Sequence, residues 1–407
     1  MIRWFEVENF KSLKKLHLEM RPFMVLVGAN GAGKTNIVQA LSFFLEALRK
    51  HNLECIELYG GYDQAIRRGA RPAQNLRLGL SVSYRDLLEG SEQTMESRAT
   101  IGSGADGTAV LKHEEIKITQ EGHPEPLQVQ WSNGEFIRVD PGLEEEGVMR
   151  GPKEAYTKLA RNFGPQLLPA SSFFSPPDTL YLYQSHHLRL DASSIRADAL
   201  VSKKQEYMST LSSTGEGLPL AVERLRGKGK TPSKRFKRIL LTLAEVYPNI
   251  EDVSTVRFQP GRVALSFKER NVSAPLGEGN VSDGALHALA LLVALEEHQG
   301  RLLIIEEPEN ALHPWALRRI LEHMQERPIS REVSSRGSIL ITTHSPIVVD
   351  AVKDPASLFI VERDEKRGTV VSPAVEKERT LGVILKETGQ KLGDVWLGGS
   401  LGGVPGA

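Results

Sequence analysis

The stretch GANGAGKTN, residues 28–36, follows the apolar run MVLV (24–27) and leads into IVQALSFFLEAL (37–48). MVLV carries no polar side chain, the pattern of a strand buried on both faces. After the loop, Ile37, Val38, Leu41, Phe44, Leu45 and Leu48 fall at helical spacing. A buried strand before and a helix after is the setting in which G-x-x-x-x-G-K-[ST] cradles phosphate, and Gly28, Gly33, Lys34 and Thr35 satisfy that spacing. Glycines let backbone N–H groups turn inward around phosphate oxygens, and the helix presents its positive end to them. The residues expected against a nucleotide are Asn30, Gly31, Ala32, Gly33, Lys34, Thr35 and Asn36. Lys34 would neutralise the β- and γ-phosphates, and the Thr35 hydroxyl would ligate Mg²⁺.

Two later segments end apolar strands in chemistry of the same kind. RLLIIEEPENALHP (301–314) closes on two adjacent acids and a proline. Side chains alternate along a strand, so Glu306 and Glu307 need not share one job. Glu306 is expected in the Mg²⁺ shell and Glu307 as the general base that polarises the attacking water. Glu at the first of these positions, where most P-loop enzymes carry Asp, sets the carboxylate about one carbon–carbon bond further out. SILITTHSP (338–346) ends in Thr343, His344 and Ser345. Ligands of open α/β sheets bind outside the carboxyl ends of strands, which makes His344 a candidate for the γ-phosphate.

Ile2 to Val7 and Leu16 to Met20 read as short strands around the turn-like NFKSLKK. Leu76, Leu78, Leu80, Val82 and Tyr84 alternate as in an antiparallel strand with one covered face. The polar, Gly/Ser-rich stretch 89–107 is expected to be a mobile loop. Asn133-Gly134 marks a hairpin between 127–131 and 136–139. Residues 150–245 are expected to be mainly helical, broken by joints such as GPQLLPASSFFSPPD, and 253–267 forms a second hairpin turning at Pro260-Gly261. From 281 onward, helix and apolar strand alternate, which implies parallel strands with crossover helices.

Lys plus Arg and Asp plus Glu are both 51, so no global field draws the chain to nucleic acid or an anionic membrane. One cysteine, Cys55, excludes an internal disulfide and fits a reduced cytoplasmic setting. No apolar run is long enough to span a bilayer, and no membrane partner is expected.

The phosphate loop, VSDGALHALALLVAL, IIEEPENALHP and ITTHSP occur in that order, and together they resemble the ABC-type ATPases of the RecF, SMC and OLD group, including stand-alone bacterial AAA ATPases. NFKSLKKL at the front and LGDVWLGGSLGGVP at the tail are similar to that group's ends. The resemblance implies an α/β fold: a P-loop NTPase, an ABC-type ATPase head with an antiparallel β subdomain and a helical insertion. Residues 1–145 would form the first part of the head, 146–248 the helical insertion, 249–373 the second part of the head and 374–407 a tail. It also implies that Ser282, Asp283 and Gly284 are a signature loop that binds the γ-phosphate of ATP held by a second copy. Ser282 offers a hydroxyl and Gly284 a bare N–H at the positive end of a helix. Ala311 to Pro314 would fall at the dimer-contacting loop, and Lys11 and Ser12 at a basic turn near the nucleotide. A Gln that senses Mg²⁺ is expected in this group; Gln184 is left unassigned.

The implied function is an ATPase with ATP and Mg²⁺ that closes as a head-to-tail homodimer or higher oligomer, in DNA maintenance or antiphage defence. DNA or an effector protein would be its partner. The alternatives are a transporter's nucleotide-binding subunit and a non-hydrolytic ATP-sensing scaffold. Against the transporter stand the Glu-Glu pair and the roughly 245 residues between Lys34 and Ser282. A complete OLD-like nuclease needs a further acid-rich metal domain; roughly 60 residues follow His344, so a nuclease is expected on another chain. RLRGKGKTPSKRFKR holds eight basic residues, Arg224, Arg226, Lys228, Lys230, Lys234, Arg235, Lys237 and Arg238, and no acid. It is the candidate nucleic-acid patch, with a solvated helix face as the alternative. His186-His187 suggests a metal, but no third ligand stands at metal spacing.

Overall fold

The structure, a computed structural model, describes residues 1–50, 52–67, 69, 75–85, 92–121, 127–132, 135–140, 185–197, 199–200, 211–227, 229, 231–298, 301–326, 337–377, 391–400 and 402–403. The joint 164–178, Gln184, Asn133-Gly134, Lys228 and Lys230 lie outside them.

The first two strands are longer than the sequence suggests: β1 (Ile2–Phe10) and β2 (Leu13–Glu19) leave only Lys11-Ser12 to turn the chain. Lys11 takes φ +45° and Asn9 +63° to make so tight a reversal. β3 (Phe23–Val27) then runs into the glycine loop and α1 (Lys34–Lys50). Short α2 (Gly61–Ala65) precedes an antiparallel run of β4 (Leu76–Arg85), β5 (Glu92–Ser103), β6 (Ala109–Gln120), β7 (Leu127–Ser132) and β8 (Glu135–Asp140). β9 (Ser185–Leu188), α3 (Ala192–Ile195), β10 (Ala199–Leu200), α4 (Leu218–Arg226) and α5 (Lys234–Val246) follow. Next come β11 (Ile250–Gln259), β12 (Arg262–Glu269), β13 (Leu276–Gly277) and α6 (Asp283–Glu297). The chain continues through β14 (Leu302–Glu306), α7 (Pro314–Glu326), β15 (Ser338–Thr343), α8 (Pro346–Ala351), β16 (Leu358–Asp364), β17 (Gly368–Pro373) and α9 (Leu392–Leu397).

Thirteen strands form one sheet in the order β8-β7-β6-β5-β4-β1-β2-β17-β16-β3-β15-β14-β9. From β16 to β9 the pairings are parallel; from β16 outward through β8 they are antiparallel. Between β2 and β17 the ladder consists of one register pair, Leu13 with Gly368. β11, β12, β13 and β10 make a second, smaller antiparallel sheet.

Both faces of the parallel half are covered, as its unbroken apolar runs require. Along β3, Met24 and Leu26 join the cluster around α1, while Val25 and Val27 join the cluster around α6. β14 divides in the same way, Leu302 and Ile304 toward α1, Leu303 and Ile305 toward α6. α6 is buried from Ala285 to Glu296, the mark of a helix with apolar residues all round.

Two expectations change. The stretch 89–107 was expected to be a loop, yet β5 occupies Glu92–Ser103 and pairs along its length with β4 and β6. Its inward positions include Gln93 and Ser97, polar residues that dilute the period-two signal; the buried Gln93 accepts the Tyr84 hydroxyl at 2.7 Å. Within the expected helical stretch, β9 is a strand of the main sheet, parallel to β14. The hairpin at Pro260-Gly261 forms as its sequence predicts, with Gly261 at φ +77°.

Candidate nucleotide site

The glycine loop leaves β3 between β16 and β15 and is held from several sides. Gly28 N donates to Thr343 O at 3.4 Å and Ala29 N to Gly403 O at 2.8 Å. Gly33, at φ +111°, lies so close to β17 that a Cβ would stand 2.0 Å from Thr369 Oγ1 and 2.9 Å from Ser12 Oγ. Thr369 donates to Ala32 O at 2.9 Å and shares a 2.7 Å hydrogen bond with Ser12 Oγ, which also accepts from Asn36 Nδ2 at 2.6 Å. Ser12 therefore supports the loop from behind, whereas Lys11 reaches along α1 to Gln39 Oε1 at 2.8 Å.

Lys34 is buried, and its ammonium donates to Gly28 O at 2.6 Å and Ala29 O at 3.0 Å. Burial holds its pKa below the usual lysine value, partly offset by the charges of Glu307, Glu309 and Glu306. All three acids thus act on the loop lysine, although some 270 residues separate them from it in sequence.

Glu306 ends β14 on the face shared with Leu302 and Ile304, as alternation dictates, and so points toward α1. Its Oε2 accepts from Thr35 Oγ1 at 3.1 Å and its Oε1 from His187 Nε2 at 2.6 Å. Burial pushes its carboxyl pKa up, but these hydrogen bonds and the charges of His187 and Arg189 outweigh it, leaving the pKa below the ordinary value. The Thr35 hydroxyl beside a carboxylate is a hard oxygen pair of the kind that would suit Mg²⁺. Among the described residues no group of three or more His, Cys, Asp or Glu is placed to hold a metal by itself.

Glu307 leaves the strand at φ +49°, a left-handed conformation that costs a side-chain-bearing residue about 1–3 kcal/mol. Its N–H donates to Thr342 O at 2.8 Å, which ties the turn to β15. His344 Nδ1 lies 3.4 Å from Glu307 Oε1 and 3.4 Å from Glu309 Oε1. Glu309 Oε1 accepts from Thr343 Oγ1 at 2.7 Å and from His344 N at 3.1 Å. The general-base candidate and the histidine are thereby brought side by side, with Glu309 holding the histidine's backbone.

Ser282 caps α6, its hydroxyl accepting from Ala285 N at 3.3 Å. Arg196 fastens the turn before it, donating to Asp283 Oδ1 at 2.6 Å, to Val281 O at 2.7 Å and to Glu278 O. Gly284 is pressed against the loop after β14: a Cβ there would meet Tyr247 Oη at 2.6 Å and Ala311 O at 2.9 Å. Ala311 itself stands at φ +65°.

The basic run is less free than its composition suggests. Arg226 pairs with Asp252 at 2.6 Å, Arg238 with Glu296 at 2.6 Å, and Arg224 with Glu297. Lys234, Arg235 and Lys237 are exposed along α5. The residues sequence reading missed are Thr369, Glu309, Arg196 and the role of His187. Glu309 was visible beside Glu307 in EEPEN, and His187 as the histidine two places past Ser185 in a strand. Thr369 touches Ala32 across 337 residues of chain, and no local pattern marks it.

A phosphate loop, an acid pair and a histidine at the carboxyl ends of three neighbouring parallel strands, with an antiparallel wing beyond, is the build of a P-loop ATPase head of the ABC type. The chain belongs to the family described as "AAA domain, putative AbiEii toxin, Type IV TA system", which matches residues 23–107 and 178–350. It is 23% identical over 404 residues to the OLD nuclease of Thermus scotoductus, covering 93% of this chain and 65% of that protein. The chain therefore spans about two thirds of that relative's length. Similar solved structures include an Smc head domain with an extended coiled coil bound to the C-terminal domain of ScpA from Pyrococcus furiosus, at 15% identity, TM-score 0.49, covering 94% of this chain and 99% of that one. The SMC head domain of Thermotoga maritima is similar at 14% identity and TM-score 0.44, covering 91% and 98%. Among the described residues no helix is long and apolar enough to cross a membrane.

Proposed function

We propose that this chain is a cytoplasmic ATP hydrolase whose copies close head to tail on ATP and so switch a partner in DNA maintenance or antiphage defence. The observation that carries the reading is the meeting of Lys34, Thr35, Glu306, Glu307 and His344 around one glycine loop. Lys34 trades the carbonyls of Gly28 and Ala29 for phosphate oxygens. Thr35 and Glu306 would hold Mg²⁺, which when bound would neutralise charge on the phosphates. Glu307 accepts a proton from the attacking water, and His344 meets the γ-phosphate from the next strand end. Ser282 and Gly284, at the positive end of α6, serve the nucleotide of the second copy. ATP then adds contacts only in the closed dimer, which makes the switch one of mass action.

A separate effector protein, such as a nuclease, is favoured over direct DNA contact, because Arg224, Arg226 and Arg238 already serve the chain's own acids. Glu307→Gln tests the reading. The variant is expected to bind ATP, turn it over very slowly and accumulate as dimer in size-exclusion chromatography with light scattering. Hydrolysis at the wild-type rate would move the base elsewhere. ATP binding without any dimer would remove the head-to-tail switch.

A further inference from the structure

His186 and His187 are neighbours on β9, and neighbours on a strand face opposite ways. They cannot share a metal, and the structure gives them separate work: His186 Nε2 bonds Leu211 O at 2.7 Å on one side, His187 Nε2 bonds Glu306 Oε1 at 2.6 Å on the other. The register places His187 beside Ile304 on β14. Glu306 is two residues further along the same face, the diagonal reach available to a long side chain.

Glu306 needs such a partner. A glutamate has one more rotatable bond than an aspartate, so a carboxylate meant to face Thr35 has more ways to miss it. Its side chain is 6% exposed, and a buried carboxylate must have its oxygens satisfied. Thr35 serves Oε2 and His187 serves Oε1. The bond at Oε1 restrains the carboxylate with Oε2 at the Thr35 hydroxyl.

We infer that His187 is a positioning residue for Glu306, the outer support that lets a glutamate occupy the metal-side position at the end of β14. The inference rests on the proposed ATP and Mg²⁺ site and adds to it a residue from β9, the edge strand next to β14. Support of this kind behind a metal ligand is worth about 10- to 100-fold in metal affinity.

The test compares His187→Gln with His187→Asn in the full chain, by titration with a fluorescent ATP analogue in excess Mg²⁺ and in EDTA. Gln carries its N–H as many bonds from Cα as the histidine Nε2; Asn carries it one bond short. The affinity ratio, Mg²⁺ over EDTA, should stay within about threefold of wild type for Gln and fall about tenfold or more for Asn, with affinity in EDTA unchanged in both. His187→Leu should behave as Asn. Equal ratios for Gln and Asn, or a loss by Asn of the same size in EDTA, would overturn the role of His187 alone. A wild-type chain that binds the analogue no better with Mg²⁺ than in EDTA would overturn the underlying site as well.

Discussion

Gly33→Ala probes how closely β17 is built against the phosphate loop. Gly33 stands at φ +111°, where a residue with a side chain is strained by about 1–3 kcal/mol. The new methyl would start 2.0 Å from Thr369 Oγ1 and 2.8 Å from Thr369 Cγ2. Thr369 must swing away, and its bonds to Ala32 O and Ser12 Oγ are lost with it. Each contributes about 0.5–1.5 kcal/mol, so the variant should lose about 2–6 kcal/mol in all. Thr369→Ala alone forfeits the same two bonds, about 1–3 kcal/mol. In the double variant those bonds are lost once and the colliding Thr369 atoms are gone, while Ser12 Oγ, 2.9 Å from the methyl, bears on it with or without Thr369. Its loss should therefore fall short of the sum of the single losses by about 1–3 kcal/mol. Urea unfolding of the four proteins, compared at equal m, measures the cycle. Strict additivity, within about 0.5 kcal/mol, would refute the contact argument.

Glu309→Ala removes the acceptor for Thr343 Oγ1 and His344 N; hydrolysis should fall about 10- to 100-fold with ATP affinity within about twofold, since charge-assisted bonds of about 1.5–3 kcal/mol position the histidine. Steady-state kinetics beside equilibrium binding decides it, and an unchanged kcat would argue against that role. Lys34→Ala should abolish ATP binding by calorimetry; normal affinity would undo the cradle. Arg196→Ala frees the turn before Ser282, so the ATP-bound dimer of Glu307→Gln should weaken about tenfold or more in sedimentation while monomer ATP binding persists. Cys55 is buried, and its thiol pKa is pushed up to about 11 from 9.0, chiefly by burial. Alkylation of the native chain at pH 8 should be slower by about 100-fold or more than that of an ordinary thiol, and rapid labelling would place Cys55 at the surface.

The parts of the site legible in sequence are those whose chemistry is local. GANGAGKTN carries its glycines, lysine and threonine at fixed spacing, and alternation along LLIIE alone turns Glu306 toward α1. Strand-end position likewise placed His344 beside the acid pair. What stayed hidden depends on which strands become neighbours. Thr369 supports the loop only because β17 lies next to β2, and His187 reaches Glu306 only because β9 pairs with β14. Alternation also fails at Glu307, which has already left the strand at φ +49°. In β5, the polar inward residues Gln93 and Ser97 gave the stretch the look of a loop. The arginines of the basic run read as free charge because their acids, Asp252, Glu296 and Glu297, lie elsewhere in the chain.

The single ladder pair of Leu13 with Gly368 leaves the antiparallel wing joined to the parallel half by very little β-pairing at one point. Beside that point Ser12 and Thr369 grip Ala32 and Asn36. A twist of the wing would therefore bear on the wall of the phosphate cradle through Ser12 and Thr369, and on α1 through the core that both share. Gly33, which leaves no room for a Cβ beside Thr369, lies at that wall.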